Sequence, residues 1–434
     1  MSLVWRTSLL SGWLLPTVTL LALALLTAGV AWWRRTAWTW AALGFGALLA
    51  AALIARTAAP PSAVGGSYPR SFVLWGALPL FALAAAAWQW RVVRWWRRGV
   101  ALLAVPLLAA FAGLQINAHY GYLPTVGDLV GAPLPGEIGS LGFVPAHGAW
   151  LPREAVVRVR SDMGVVTQID IPGRVSHFHA RAAWVWLPPA YFTGPDRSLP
   201  VVMLLAGVPG ATRDWLRGAF AAQTADAWSR AHDGLAPILV FPDPNGSALA
   251  DTECVDGPLG NSETYLTVDV PEFMHRWFHT PMDPADWAVG GLSEGATCAL
   301  MLGARHPDRF SLFADFSGGK APSSGTPAQT LQRLYGGDRN AMRAHDPARW
   351  FALDARLGEQ GVVVAGGDDA GALAAQAKVL ADAHAVGFRL RTEVIPGGGH
   401  NFQTWGRALQ ETFPWIATTL ERGPPGSAAR DLRA

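Results

Sequence analysis

Residues 287–300 read WAVGGLSEGATCAL. The opening residues, 287–290, are apolar and suited to a strand, and a helical pattern follows over 294–305. Between them Gly291-Leu292-Ser293-Glu294-Gly295 matches G-x-S-x-G. The pentapeptide alone is weak, because glycine and serine are common. Its setting strengthens it: a sharp turn from strand to helix would thrust Ser293 above the sheet edge in a strained conformation, with glycines permitting close packing on either side. The hydroxyl would then lie at the positive end of a helix.

Working outward, short β-rich runs occur at 155–159, 165–171 and 182–187, then at 201–206, 238–241, 312–316, 362–366 and 390–395. Helix-like segments separate the later ones, at 215–231, 265–278, 370–386 and 402–420. Strands alternating with helices of this length predict a mostly parallel sheet with helices on both faces. The first strands lack intervening helices, so an antiparallel start is expected.

A serine hydroxyl needs a base, and the base an acid to orient it. In strand–nucleophile–helix proteins of this kind the chain order is Ser, then Asp or Glu, then His. Here the strand at 362–366 runs into Gly367-Asp368-Asp369, and the strand at 390–395 into Pro396-Gly397-Gly398-Gly399-His400. Both candidates follow the C-terminal ends of strands, where such sheets bind ligands. The catalytic set expected is Ser293, His400 and Asp369, with Asp368 as the alternative acid. The competing readings are a loop histidine and a helix N-cap at Asp369. The oxyanion hole needs two backbone N–H donors, one from Glu294 and one from the loop 206–210. There Val208 is the candidate, since Pro209 has no N–H. This chemistry calls for no cofactor and no metal. His177 and His179 lack a third ligand and read as surface or core histidines.

The N-terminal third is different. Four nearly uncharged stretches of about 20 residues, the length that a hydrocarbon core requires, lie between arginines and end before residue 119. Tryptophans crowd their ends (Trp32, Trp33, Trp38, Trp40, Trp88, Trp90, Trp95, Trp96), as in interfacial belts. No acidic residue precedes Asp128, whereas arginines stand at 6, 34, 35, 56, 70, 91, 94, 97 and 98. A hydrophobic fraction of 51% and a mean hydropathy of +0.21 suit a protein partly in a membrane. The arginines read as topology signals and not as a nucleic-acid surface. Arg34, Arg35, Arg91, Arg94, Arg97 and Arg98 share one side, which is expected to face the cytoplasm. The remainder of the chain then lies outside it. A transporter is disfavoured, because no ionisable residue lies within the spans to line a path.

The expected organisation is four transmembrane helices over 1–118, a Gly- and Pro-rich linker over 119–150, an α/β domain over 151–421 and a disordered tail over 422–434. Cys254 and Cys298 form an even pair in a domain placed outside the cytoplasm. A disulfide is expected, with two buried free thiols as the alternative.

The stretches LPVVMLLAGVPGATRDW (199–215), DTECVDGPLGNSETYLTVDVPEF (251–273), WAVGGLSEGATCALMLGARHPDRFSLFADFSG (287–318) and VIPGGGHNF (394–402) resemble the esterase family of α/β-hydrolases. That family includes S-formylglutathione hydrolases, feruloyl esterases and mycolyltransferases. The resemblance extends over roughly residues 165–415, and the arrangement of spans followed by this domain is similar to actinobacterial membrane esterases. It implies an α/β-hydrolase fold and ester hydrolysis or acyl transfer by Ser293, with His400 as base. Its G-x-x-D pattern fits Gly366 to Asp369. One departure is Glu294-Gly295-Ala296, where the family has an apolar or amide residue and a glycine pair.

The function expected is a membrane-anchored serine ester hydrolase acting outside the cytoplasm on a lipid or cell-envelope ester. The alternatives are an acyltransferase that hands the acyl group to an envelope alcohol, and a non-catalytic envelope-binding protein on a hydrolase scaffold. No nucleic-acid partner is expected. Glu294 allows two readings. A carboxylate facing the pocket would favour a cationic acyl group, as in aminoacyl lipids; one turned away to bond a neighbouring backbone group or arginine would leave no such preference.

Overall fold

The computed structural model describes residues 3–31, 37–58, 69–90, 94–138, 163–192, 198–353 and 360–422. The chain divides into two compact units, one of residues 1–59 and 66–132, the other of 60–65 and 133–434.

The first unit contains α1 (Leu14–Ala31), α2 (Ala37–Ala58), α3 (Arg70–Gln89) and α4 (Trp95–Tyr120). Within it α1 packs on α4, α2 on α3, and α3 on α4. Small side chains make the close contacts, with Ala47, Ala51 and Ala77 in one cluster and Ala22 and Ala82 beside Leu108 and Phe111 in another. Other large apolar side chains point outward: Leu20, Phe45 and Leu103 are each about two-thirds exposed. Among the described residues, two helical stretches, Ser71–Trp88 and Arg98–Tyr120, are long and apolar enough to cross a membrane. A third apolar run, Trp40–Ile54, is shorter. The expectation of four spans is narrowed to that extent. After α4 the chain turns at Gly121, whose φ of 67° is left-handed, into the short α5 (Val126–Leu129). Thr125 and Asp128 cap α5 reciprocally.

The second unit is built on one sheet of eight strands, β1 (Val165–Ile169), β2 (Ala183–Leu187), β3 (Val201–Leu205), β4 (Ile238–Phe241), β7 (Trp287–Leu292), β8 (Leu312–Phe316), β9 (Gly361–Gly366) and β10 (Arg391–Ile395). Their order across the sheet is β1-β2-β4-β3-β7-β8-β9-β10. The pairs β1–β2 and β2–β4 are antiparallel, and from β4 onward every pair is parallel. β3, β4, β7 and β8 are buried along their whole length, as expected of parallel strands covered on both faces. A small hairpin, β5 (Asp256–Gly257) and β6 (Gly260–Asn261), stands apart. The strand expected at 155–159 and nearly all of the tail expected at 422–434 lie outside the described residues.

The helices depart from expectation in two places. The segment 215–231 is not one helix but two, α6 (Asp214–Arg217) and α7 (Ala221–Ala231), separated by Phe220 at φ 55°. The break coincides with close packing: a Cβ on Gly218 would run into the ring of Phe402, and Ala219 lies against Gly406. Between β8 and β9, three short helices follow that sequence periodicity does not predict. They are Pro327–Tyr335, Arg339–Ala344 and Pro347–Leu353. Thr326 with Gln329, and Asp338, cap the first two, supplying start signals where the runs are too short for periodicity to register. Glu263 ties this segment down. It accepts from Arg305 Nε at 2.5 Å, His306 Nε2 at 2.6 Å and His345 Nε2 at 2.7 Å.

Candidate active site

Strand β7 ends at Leu292, and Ser293 follows at φ 56°, ψ −119°, before the helix Glu294–Arg305. A left-handed φ is unfavourable for a residue with a Cβ and persists only where packing enforces it. Here a Cβ on Gly291 would overlap the Gly295 carbonyl, and one on Gly295 would overlap the carbonyls of Leu205 and Ala206. Glycine at both positions lets strand, nucleophile and helix cross at van der Waals distance.

The structure brings the three expected residues together. Ser293 Oγ lies 2.8 Å from His400 Nε2, and His400 Nδ1 lies 2.6 Å from Asp369 Oδ2. A carboxylate only accepts, so Nδ1 carries the proton and Nε2 is left to accept from the serine. Asp369 is also the N-cap of the helix Ala370–Ala385, accepting from Ala372 N–H at 3.1 Å. Burial favours its neutral form. The bond and charge of His400, the Ala372 N–H and the nearby Ser317 hydroxyl outweigh that and hold its carboxyl below the ordinary aspartate range. Asp368 is exposed, with its N–H donated to the Gly398 carbonyl. The ring of Trp405, not anticipated from sequence, meets His400 edge-on at 5.0 Å between centroids.

The loop after β3 runs beside the nucleophile. A Cβ on Gly207 would come within 2.9 Å of both Ser293 Cβ and the Leu292 carbonyl and 3.4 Å from the Glu294 nitrogen. Val208 follows directly, partly exposed. The Glu294 N–H belongs to the first helical turn, whose donors have no partner within the helix.

The Glu294 side chain is buried and turned aside. Its Oε2 accepts from Asn245 Nδ2 at 3.1 Å, and Oε1 sits 3.3 Å from Cys298 Sγ. Cys254 and Cys298 are joined in a disulfide, with Cα atoms 5.5 Å apart. Such a sulfur has no proton to give. The neutral acid, whose O–H can point at the sulfur, therefore suits this contact better than a carboxylate. Burial and the neighbouring Asp251 push Glu294 well above the usual carboxyl range, against the opposing bond from Asn245. Of the two readings of Glu294, the side chain turned aside is the one observed, although its partner is the Asn245 amide and not a backbone group or an arginine. Cys254, Glu294 and Cys298 also have ligand-like spacing, but the bond between the sulfurs leaves no thiolate for a metal. His177 and His179 are both exposed.

Two further buried acids lie on or just past strands of the same sheet. Asp315 of β8 pairs in register with Gly291, is nearly inaccessible, and accepts from Gly318 N–H at 2.7 Å. Burial pushes it up to about 7 against that bond. Asp243, just past β4, is wholly buried and paired with Arg181. The position of Asp243 beyond a strand's C-terminal end was the one available signal for it.

Residues 179–416 match the profile of the Putative esterase family. An uncharacterised protein of Corynebacterium glutamicum is 34% identical over 312 residues, spanning 70% of this chain and 72% of its own. Among solved structures, a ferulic acid esterase aligns with a TM-score of 0.51 at 18% identity, over 59% of this chain and 99% of its own. The S-formylglutathione hydrolase of Agrobacterium tumefaciens gives a TM-score of 0.51 at 18% identity, over 60% and 98%. At that identity these structures establish likeness of fold. The family match over more than half the chain places the protein in the esterase family, as an ester hydrolase with an α/β-hydrolase fold.

Proposed function

We propose that this chain is a membrane-anchored serine ester hydrolase acting outside the cytoplasm on a lipid or cell-envelope ester. The observation that carries the chemistry is the continuous contact from Ser293 Oγ through His400 to Asp369, at 2.8 and 2.6 Å. Ser293 Oγ attacks the ester carbonyl while His400 Nε2 takes its proton. Asp369 holds the ring in the required tautomer and stabilises the imidazolium. The N–H groups of Glu294 and Val208 receive the negative charge on the carbonyl oxygen. Collapse expels the alcohol, protonated by His400, and leaves an acyl-serine. Water, activated by the same histidine, then releases the acid. An envelope alcohol in place of that water would make the enzyme an acyltransferase, and product analysis separates the two.

The membrane assignment rests on the first unit. Its helices hide alanines and present Leu20, Phe45 and Leu103 outward, an arrangement suited to lipid and unfavourable in water. We read α1 to α4 as the spans, with the arginine-rich segments between α1 and α2 and between α3 and α4 on the cytoplasmic side. The Cys254–Cys298 disulfide supports an oxidising location for the esterase unit. Tethering the domain to the spans through one chain raises the effective concentration of membrane-borne esters over soluble ones.

Ser293→Ala tests the chemistry. Hydrolysis of a p-nitrophenyl ester by the detergent-solubilised chain should fall by roughly 10⁵-fold or more, with an unchanged circular dichroism spectrum. Retention of wild-type turnover overturns the assignment. For topology, a reporter active only in the cytoplasm, fused after Ala434, should be silent; a strong signal reverses the orientation.

A further inference from the structure

The oxyanion loop 206–210 belongs to no strand or helix, yet its position relative to the Glu294 N–H must be set within a fraction of an ångström for both donors to serve one oxygen. Three side chains connect the two sides. Arg181 closes a fork on Asp243, with Nε to Oδ2 at 2.9 Å and Nη2 to Oδ1 at 2.7 Å; its backbone N–H also reaches Oδ2 at 2.7 Å. Its remaining terminal nitrogen, Nη1, donates to the Gly210 carbonyl at 2.9 Å. On the other side Asp243 Oδ1 accepts from the Asn245 N–H at 3.1 Å, and Asn245 Nδ2 donates to Glu294 Oε2 at 3.1 Å. Asn245 is fixed in turn by Thr252, whose N–H and hydroxyl reach its Oδ1 at 2.9 and 3.0 Å. Asp243 and Asn245 are both buried.

We propose that Arg181, Asp243 and Asn245 form a brace that sets the separation of the two oxyanion donors, making Arg181 and Asn245 positioning residues for the transition state. The proposal rests on the reading of Ser293 as nucleophile. Glu294 carries one donor and is gripped through its side chain by Asn245. Gly210 closes the turn that holds the other donor and is gripped through its carbonyl by Arg181. The turn is tight: a Cβ on Gly210 would overlap the Gly207 carbonyl. Gly210 N–H to Ala248 O at 3.0 Å and Ala211 N–H to Asp214 Oδ2 at 2.8 Å anchor the turn from other directions. The Arg181 bond is the anchor that runs toward Glu294. A guanidinium suits this role because its planar fork satisfies a carboxylate and a third acceptor together, which an ammonium cannot do in the same geometry. Glu294 is thereby used twice, its N–H for the oxyanion and its carboxyl as the handle by which that N–H is placed.

The test is a cycle of Arg181→Lys, Asn245→Ala and the double variant, in the full chain. Arg181→Lys keeps a cation beside Asp243, which would otherwise be a buried unpaired charge. Each single variant should lower kcat on a p-nitrophenyl ester about 10- to 100-fold, with KM within about threefold. Affinity for phenylboronic acid, which forms a tetrahedral adduct on serine, should weaken by the same factor as kcat/KM. The double variant should cost little more than the worse single, because a brace cut twice is no looser than a brace cut once. Wild-type kcat and boronate affinity in both singles, a rise in KM alone, or fully additive losses would overturn the brace. If Arg181→Lys does not fold, Asn245→Ala alone decides by the same kcat and boronate readouts. Failure of the esterase reading itself shows separately, as wild-type turnover by Ser293→Ala.

Discussion

Asp369 serves two partners with its two oxygens: Oδ2 lies 2.6 Å from His400 Nδ1, and Oδ1 accepts from the Ala372 N–H at 3.1 Å. The contact with His400 and the helix cap, competing readings in sequence, coexist in one side chain. The cap fixes the carboxylate to the start of a 16-residue helix, so the oxygen facing His400 is held by secondary structure and not by a loop.

Asp369→Asn should therefore keep the cap while damaging the chemistry. An amide can accept from Ala372, but it then offers His400 an N–H where a carboxylate oxygen stood, and the ring loses the tautomer it needs. A fall in kcat of roughly 10³–10⁴-fold is expected, with a thermal midpoint near that of wild type. Exposed Asp368 provides the control, and Asp368→Asn should stay within about threefold. The reverse order of damage would assign the acid to Asp368.

The legible parts of this site are those that carry a local signature. Ser293 stands between a strand and a helix with glycines at fixed offsets. Asp369 and His400 each follow a run of strand-forming residues by a few positions. Arg181 and Asn245 carry no such signature, and Asp243, although it follows β4, has nothing in sequence to mark its partner: Arg181 meets Asp243 across 62 residues and Gly210 across 29, so only the folded sheet brings them together. The same holds for Trp405, one aromatic in a helix with several. The helices over 327–353 escaped because six to nine residues are too few for a period of 3.6 to register. Glu294 was undecided in sequence because its two readings differ only in side-chain direction, which Asn245 and the disulfide determine.

That direction has a consequence for substrate charge. Buried, turned aside and bonded to Asn245, Glu294 has little reach toward an ammonium group on the substrate, so no preference for aminoacyl esters should follow from it. Gln at this position reproduces the neutral acid, accepting from Asn245 and donating toward Cys298 Sγ. Glu294→Gln should therefore retain kcat/KM within about threefold on a pair of esters, one with a free ammonium and one acetylated. A selective loss on the ammonium ester would restore a charged Glu294 facing the substrate.

The disulfide joins the loop after β4 to the helix that follows Ser293, across a sequence separation of 44. A cross-link closing a loop of this length contributes about 2–4 kcal/mol. The double variant Cys254→Ala/Cys298→Ala should unfold at a clearly lower denaturant concentration. Alkylation of the folded wild type without reductant should modify neither cysteine, and two labelled thiols would show the bridge to be absent.

Asp315 gives the esterase unit a pH dependence of definite sign. Burial beside the nucleophile strand raises its pKa from 3.8 to about 7, although Gly318 N–H favours the charged form. The folded protein thus holds a proton that the unfolded chain releases near pH 4. Between about pH 4 and 7 the native state binds more protons than the unfolded one, so this group lowers stability progressively as pH rises through that window. Below it there is no penalty, and above it the penalty is complete. Asp315→Asn keeps an acceptor for Gly318 and cannot ionise. The variant should match wild type near pH 4 and exceed it by about 2–4 kcal/mol at pH 8. Glu253 and Glu294, raised by burial and by neighbouring acids, and Asp369, held low, contribute equally to both proteins and cancel in the difference. The measurement is the thermal midpoint of each protein in detergent at half-unit steps from pH 4 to 8. A constant offset between the two curves would show that Asp315 does not titrate in this range.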